Sequence, residues 1–442
     1  MNNKVMEQKT IIPREVVDKA IAANGIKDVA KASIRQIVKI VRDIEEETGI
    51  EFVKMEMGVP GLAPAEVGVK AEIEALKNGC ASIYPPIEGM PELKKEMARF
   101  VKNFLDIDVN QECCVPTVGS MQASFAAFLT AGRRDAKKTK TLFIDPGFPV
   151  QKQQLKIMGL PFETFDVYKF RGEALRDKLE SYCKNGDIAT IVYSSPNNPS
   201  WISFTDVELR IIADIVNKYD IVVVEDLAYF AMDFRKDYGQ PGVPPFQPTI
   251  AKYTDNYILL ISASKAFSYA GQRIASLVIS NALYMKKFPD LLRFYAQEEL
   301  GRAMIYGAVY ALTSGTAYSA QYAFTAILKA ANDGTYNFRN DILEYGRRAK
   351  QAKDIFTQNG FEIVYDKDMD NPVGDGFYFT VGYPGMTGGE LLAELLYYGI
   401  SAITLDITGS ERQGLRACTS QMSQHKIDLL KDRAKLFNEN HK

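Results

Sequence analysis

The chain reads as an α/β protein: a large domain with a mostly parallel sheet covered by helices, followed by a smaller α/β domain. Two observations carry this reading. From about residue 65 to 310, short apolar runs alternate with helical stretches, as expected of parallel strands buried on both faces. After a helix-rich stretch near 318–357 the alternation resumes, with strands at 361–365 and 377–381, a helix near 388–398, an arginine-bearing strand around Arg416 and a closing helix. The expected division is an N-terminal arm and helix over 1–64 that joins the small domain, a large domain over 65–317, and an interdomain helix with the C-terminal small domain over 318–442. At 442 residues, 46% of them hydrophobic, the chain can fill two cores.

The elements follow in order. Residues 1–50 are charged and helical, and Ile34, Ile37, Val38, Val41 and Ile44 form one apolar stripe that predicts a packing surface. Cys113–Val118 is apolar and runs into Gly119, Ser120 and Met121, small residues that open a helical pattern and so present free N–H groups at a helix N-terminus. Asp145-Pro-Gly-Phe148-Pro149 is a loop with one aromatic. Ile191–Ser194 is a strand leading into a Pro/Asn/Ser turn that holds Asn198. Ile221–Val224 is an unbroken β-branched run, ending in Glu225 and Asp226 with Tyr229 just beyond. Tyr257–Ser262 is the next apolar strand, and Ser262, Ser264, Lys265 and Arg273 crowd its end, where open α/β sheets bind ligands. Three strands thus bring Asn198, Asp226 with Tyr229, and Lys265 to one sheet edge.

That order, at these intervals, resembles the pyridoxal phosphate enzymes of fold type I, and most closely the class I/II aminotransferases of the aspartate aminotransferase-like superfamily, from about Gly58 to Arg416. The resemblance implies a cofactor, pyridoxal 5'-phosphate, in the large domain. Lys265 matches the lysine that holds the cofactor aldehyde and carries protons, for which its amine must be available unprotonated. Asp226 matches the carboxylate facing the pyridine nitrogen, where a fixed negative charge keeps the ring protonated and able to accept electrons. Asn198 and Tyr229 match the pair at the ring hydroxylate. Gly119, Ser120 and Met121 occupy the phosphate turn, with Ser262 and Arg273 as its side-chain donors. Phe148 falls where an aromatic stacks on the ring. Tyr84 aligns with the tyrosine sent to the partner's phosphate, which implies a homodimer. Arg416 resembles the arginine that grips the substrate α-carboxylate, with Gly58 and Asn198 in the same pocket.

The activity implied is transfer of an amino group between an α-amino acid and a 2-oxo acid. The alternatives are a β-eliminating carbon–sulfur lyase of the same fold, which shares the electron sink and the base, and a non-catalytic module that binds pyridoxal phosphate as an effector. The second needs a DNA-reading segment, and the short N-terminal arm offers no helix-turn-helix pattern. The only histidines, His425 and His441, both follow Arg416. That disfavours the decarboxylases and acyl-CoA-condensing synthases of this fold, which stack a histidine where Phe148 stands, and it argues against a Ser-His-Asp hydrolase and a His-ligated zinc site. No metal is expected.

A formal charge of -2 gives no electrostatic basis for nucleic-acid binding. Five cysteines without metal spacing point to reduced thiols, the opening Met1–Glu7 lacks the apolar core of an export signal, and no stretch approaches a membrane helix; the expected location is the cytoplasm. Two departures from the family pattern stand near the site. Where the family commonly has Asn-Pro-Thr-Gly this chain has Asn198-Pro199-Ser200-Trp201, which predicts altered substrate access, and Leu405–Arg412 replaces a Pro-Gly loop that shapes the side-chain pocket. Arg293 and Arg302 are the candidates for a second carboxylate contact.

Overall fold

The computed structural model describes residues 9–442; the Met1–Glu7 segment lies outside the described residues. Seven strands form the large sheet in the order Cys114–Val118, Ile274–Ile279, Tyr257–Ser262, Val222–Asp226, Ile188–Ser194, Lys140–Asp145, Phe162–Asp166. Only Ile274–Ile279 runs against the other six. Val222–Asp226, Tyr257–Ser262 and Ile274–Ile279 are buried along their whole length, which explains their largely aliphatic composition: a strand covered by helices on both faces has no solvent-facing side. Because the neighbours of Val222–Asp226 run parallel to it, the residues that follow Ser194, Asp226 and Ser262 emerge together at one edge.

A second, four-stranded antiparallel sheet has the order Ile403–Thr404, Leu415–Cys418, Tyr378–Gly382, Glu362–Ile363. The strand expected over 361–365 is reduced to Glu362–Ile363, because it lies at the edge and meets only Val381 and Gly382 of its neighbour. The helix Phe338–Gln358 connects the two cores. Its Phe338, Ile342 and Tyr345 pack into the core of the large sheet, and its Ala352, Ile355 and Phe356 pack into the second core with Phe361, Phe379 and Phe437.

The N-terminal segment belongs to that second core. Helix Ile34–Thr48 starts at a capping box between Ser33 and Gln36 and ends at Gly49, whose φ of 69° suits a residue without Cβ. Its buried stripe is Ile37, Ile40, Val41 and Ile44, an i, i+3, i+4, i+7 set; Ile34 and Val38, read from sequence as part of the stripe, are only partly buried and Ile40 takes their place. Val53–Lys54 then pairs in parallel with Ile400–Ser401, so the following residues 55–60 are drawn across the edge of the large sheet. Among the described residues no helix is long and apolar enough to cross a membrane.

Phe356 tests the second core. Its ring is 1% exposed and lies 4.9 Å from Phe361 and 5.9 Å from Phe379. Phe356→Ala should destabilise the protein by about 3–5 kcal/mol, read as a lower urea midpoint of the far-UV signal; an unchanged midpoint would show that this helix does not hold the second core.

Candidate active site

A cavity of about 680 Å³ opens at the carboxyl edge of the large sheet, lined among others by Lys265, Asp226, Asn198, Tyr229, Arg273 and Arg416. Asn198, Tyr229 and Lys265 follow buried strands, Asp226 ends one, Arg273 directly precedes one and Arg416 lies within one. Lys265 sits in one helical turn, Ala263–Ala266, directly after Tyr257–Ser262; Ser262 caps that turn by accepting the Ser264 amide at 3.1 Å. The half-buried Lys265 donates from Nζ to the Gly58 carbonyl. Burial lowers its pKa to about 8, with Arg273 and Arg416 pushing the same way and Cys418 opposing them.

Asp226 ends its strand almost completely buried, its carboxylate accepting from Gln151 Nε2 at 3.0 Å and from the Ala228 amide at 3.1 Å. Burial pushes its pKa up to about 6 against the pull of those two donors. A cation facing this carboxylate would reverse that shift, since an uncompensated negative charge in a dry site is what raises it. Tyr229 is buried beside it, and its hydroxyl donates to Tyr378 at 3.1 Å. Burial holds the Tyr229 phenol well above the usual value.

Arg416, on Leu415–Cys418, is 1% exposed. Its Nη2 donates to the Glu56 carbonyl, its Nη1 donates to Asn198 Oδ1 at 3.3 Å, and its Nε has no hydrogen-bond partner. The helix Gly119–Ala131 begins at the cavity wall, where its first amides have no acceptor within the helix. Gly119 has φ 67°, and a Cβ there would stand 2.5 Å from Arg273 Nη2, so helix start and guanidinium close on one point. Ser120 and Met121 line the cavity beside it, and Ser120 Oγ is buried without a hydrogen-bond partner. Phe148, leading into the helix Pro149–Met158, and Gly58 also line the cavity.

These groups fit pyridoxal phosphate. The unpartnered Ser120 Oγ, the free amides and Arg273 match a phosphate dianion, the dry carboxylate of Asp226 matches a protonated pyridine nitrogen, and a lysine amine of lowered pKa matches an aldehyde carbon.

Not every expected residue is gathered. Tyr84 is 91% exposed and does not line the cavity of its own chain. Arg293 and Arg302 are exposed and lie outside the lining, Arg302 pairing with Glu299 at 3.6 Å. Trp201 is also outside it: the indole is 1% exposed and packs over Gly376, where a Cβ would lie 2.1 Å from the ring. It meets the rings of Tyr229 and Tyr378 edge-on at 5.3 and 6.2 Å. The 405–412 loop does reach the site. Ile407 lines the cavity, and the Thr408 carbonyl accepts the Gly147 amide at 2.9 Å, tying the Phe148 loop to the second sheet. Sequence reasoning missed Gln151 and Tyr378. Gln151 lies in the first turn of the helix Pro149–Met158 that Phe148 leads into.

A family model described as "Aminotransferase class I and II" matches residues 50–433. A probable aspartate aminotransferase of Methanocaldococcus jannaschii is 23% identical over 339 residues, covering 75% of this chain and 80% of that protein. An aspartate aminotransferase of Pyrococcus horikoshii is 24% identical over 267 residues, covering 59% of this chain and 62% of the other. Among solved structures, an aspartate aminotransferase from Thermus thermophilus with maleate superposes with a TM-score of 0.71 at 18% identity over 95% of this chain and 98% of that one. An alanine aminotransferase from Pyrococcus furiosus does so with a TM-score of 0.74 at 18% identity over 93% and 98%. At such identities the structural likeness speaks for the fold.

The lowered Lys265 pKa has a direct consequence. In cofactor-stripped protein, the rate of reductive methylation at Lys265, followed by peptide mass spectrometry, should rise with pH about a midpoint near 8. Arg416→Met should move that midpoint upward, because removing a neighbouring cation makes the ammonium form easier to keep. A wild-type midpoint near that of exposed lysines would contradict the cavity's electrostatics.

Proposed function

The chain belongs to the class I and II aminotransferases, and on that premise we propose that this cavity exchanges an amino group between an α-amino acid and a 2-oxo acid with Lys265 as the proton carrier. The observation that carries the reading is the convergence of one lysine amine of lowered pKa, one dry carboxylate and one buried arginine on a single cavity. Pyridoxal phosphate would be held by Lys265 at its aldehyde carbon, by Asp226 at its ring nitrogen, by Asn198 and Tyr229 at its ring oxygen, by Phe148 at its ring face, and by Gly119, Ser120, Met121, Ser262 and Arg273 at its phosphate. Bound there, the cofactor supplies the electron sink for the pair left behind when the substrate Cα–H bond breaks.

The remaining work belongs to the protein's own groups. Lys265 takes and returns the Cα proton at Nζ. With a pKa of about 8 the amine populates both protonation states around neutral pH, as a group serving in turn as base and acid must. Asp226 supplies the fixed negative charge, and Gln151 and the Ala228 amide hold it in place. Arg416 presents its guanidinium to the substrate α-carboxylate, steadied by the Glu56 carbonyl and Asn198. Gly58 keeps the lysine amine at the cavity floor through its carbonyl.

The active unit is a homodimer, in which the exposed Tyr84 ring reaches the phosphate of the partner's site. The cytoplasm suits the chain, since its cysteines, Cys80, Cys113, Cys114, Cys183 and Cys418, are all free and buried thiols.

Two substitutions separate chemistry from recognition. Asp226→Ala should lower kcat by roughly 10²–10³-fold or more while much of the cofactor stays bound, because a preorganised charge at the electron sink is lost; turnover near that of wild type would mean that another group faces the ring nitrogen. Arg416→Lys should raise the amino-acid KM by roughly 10- to 150-fold, the worth of a bidentate contact to a charged group. Amines without a carboxylate should react alike with both enzymes. An unchanged KM would place the carboxylate elsewhere.

A further inference from the structure

Tyr378 is assigned to neither cofactor nor substrate, yet its side chain touches Arg416, Tyr229 and Gly58, which are. It begins the strand Tyr378–Gly382 of the second sheet, where it is paired with Cys418, two residues from Arg416 on the neighbouring strand. The residue is 2% exposed and lines the cavity. Its ring lies under the Arg416 guanidinium, whose carbon is 4.6 Å from the ring centroid. Its hydroxyl accepts from Tyr229 at 3.1 Å.

The surroundings are shaped to keep the ring there. A side chain at Gly58 would begin 1.8 Å from the Tyr378 hydroxyl, and one at Gly376 would begin 2.1 Å from the Trp201 indole, which in turn meets Tyr378 edge-on at 6.2 Å. Glycine at both positions makes room for this aromatic pair. The guanidinium itself is sparsely held: one bond to a carbonyl, one to Asn198, and Nε without any partner. Two hydrogen bonds to two different segments leave a planar cation free to tilt. An aromatic face beneath it removes that freedom, and in a buried site a cation over a ring is attracted far more strongly than in water.

We propose that Tyr378 is a positioning residue for substrate recognition: its ring is the platform that fixes the plane of the Arg416 guanidinium for the incoming carboxylate, held in place by the packing around it. The inference rests on the reading of Arg416 given above. It predicts that the π face matters more than the hydroxyl, which a merely space-filling role would not.

The test uses propionate, a carboxylate with no amino group to react, titrated into the holoenzyme while the bound cofactor's visible spectrum reports occupancy. Tyr378→Leu should weaken propionate binding roughly 10- to 30-fold. Tyr378→Phe, which keeps the face and loses the hydroxyl, should stay within about twofold of wild type. With an amino acid as substrate, the Leu variant should lose in KM more than in kcat, and an amine without a carboxylate should react as with wild type. Tyr378→Met, which fills the same space without a π face, serves if the Leu variant loses its cofactor. Arg416→Lys is the control. If Arg416→Lys loses propionate while Tyr378→Leu and Tyr378→Met keep it, the platform is wrong and the carboxylate grip stands. If Tyr378→Phe loses as much as Tyr378→Leu, the hydroxyl rather than the ring is responsible and the inference falls. If Arg416→Lys keeps propionate too, both readings fall together.

Discussion

Taking charge out of water is the constraint on which this structure turns. Lys265 and Asp226 stand at one edge of the large sheet and Arg416 lines the same cavity from the second sheet; burial moves the first two toward their neutral forms and the third is matched by polar partners. An isolated Asp226 carboxylate or Lys265 amine in such a place is costly, and each is arranged so that a ligand of the right charge removes the cost. A ligand that presents a cation to Asp226 would lower that cost.

The two sheets are joined through that same set of groups. Arg416 comes from the second sheet, Asn198 from the turn after a strand of the large sheet, and Glu56 from the N-terminal segment that pairs with Ile400–Ser401. A second seam runs behind Phe148, where Lys152 meets the fully buried Asp145 at 2.5 Å and the Thr408 carbonyl at 3.4 Å, and a Cβ at Gly409 would lie 2.2 Å from the Asp145 carboxylate. The cavity wall is thus built from both sheets, and the 405–412 loop contributes Ile407 to it.

Much of this was legible in the sequence, for a physical reason. A strand buried on both faces must be apolar, so a carboxylate, a lysine or an asparagine that appears where such a run stops marks the sheet's carboxyl edge; Asn198, Asp226 and Lys265 were found that way, and Arg416 by its apolar neighbours. Tyr378 and Gln151 gave no comparable contrast. A tyrosine within a strand and a glutamine in a helix are ordinary residues, and their partners Tyr229 and Asp226 lie 149 and 75 positions away along the chain. Trp201 was noticed because it stands where a small residue is usual, but only packing shows that it turns toward Gly376 and away from the cavity. The stripe of the N-terminal helix was placed with Val38 in and Ile40 out because the two choices differ by a small rotation about the helix axis, which packing against the second core settles.

The central claim is that Lys265 is the amine that holds the cofactor. Borohydride reduction of the yellow holoenzyme, followed by tryptic digestion and mass spectrometry, tests it without reference to any substrate. A reduced phosphopyridoxyl group is expected on the peptide containing Lys265, and none there in Lys265→Ala treated in the same way. A reduced cofactor attached to any other lysine of the wild-type chain would contradict it.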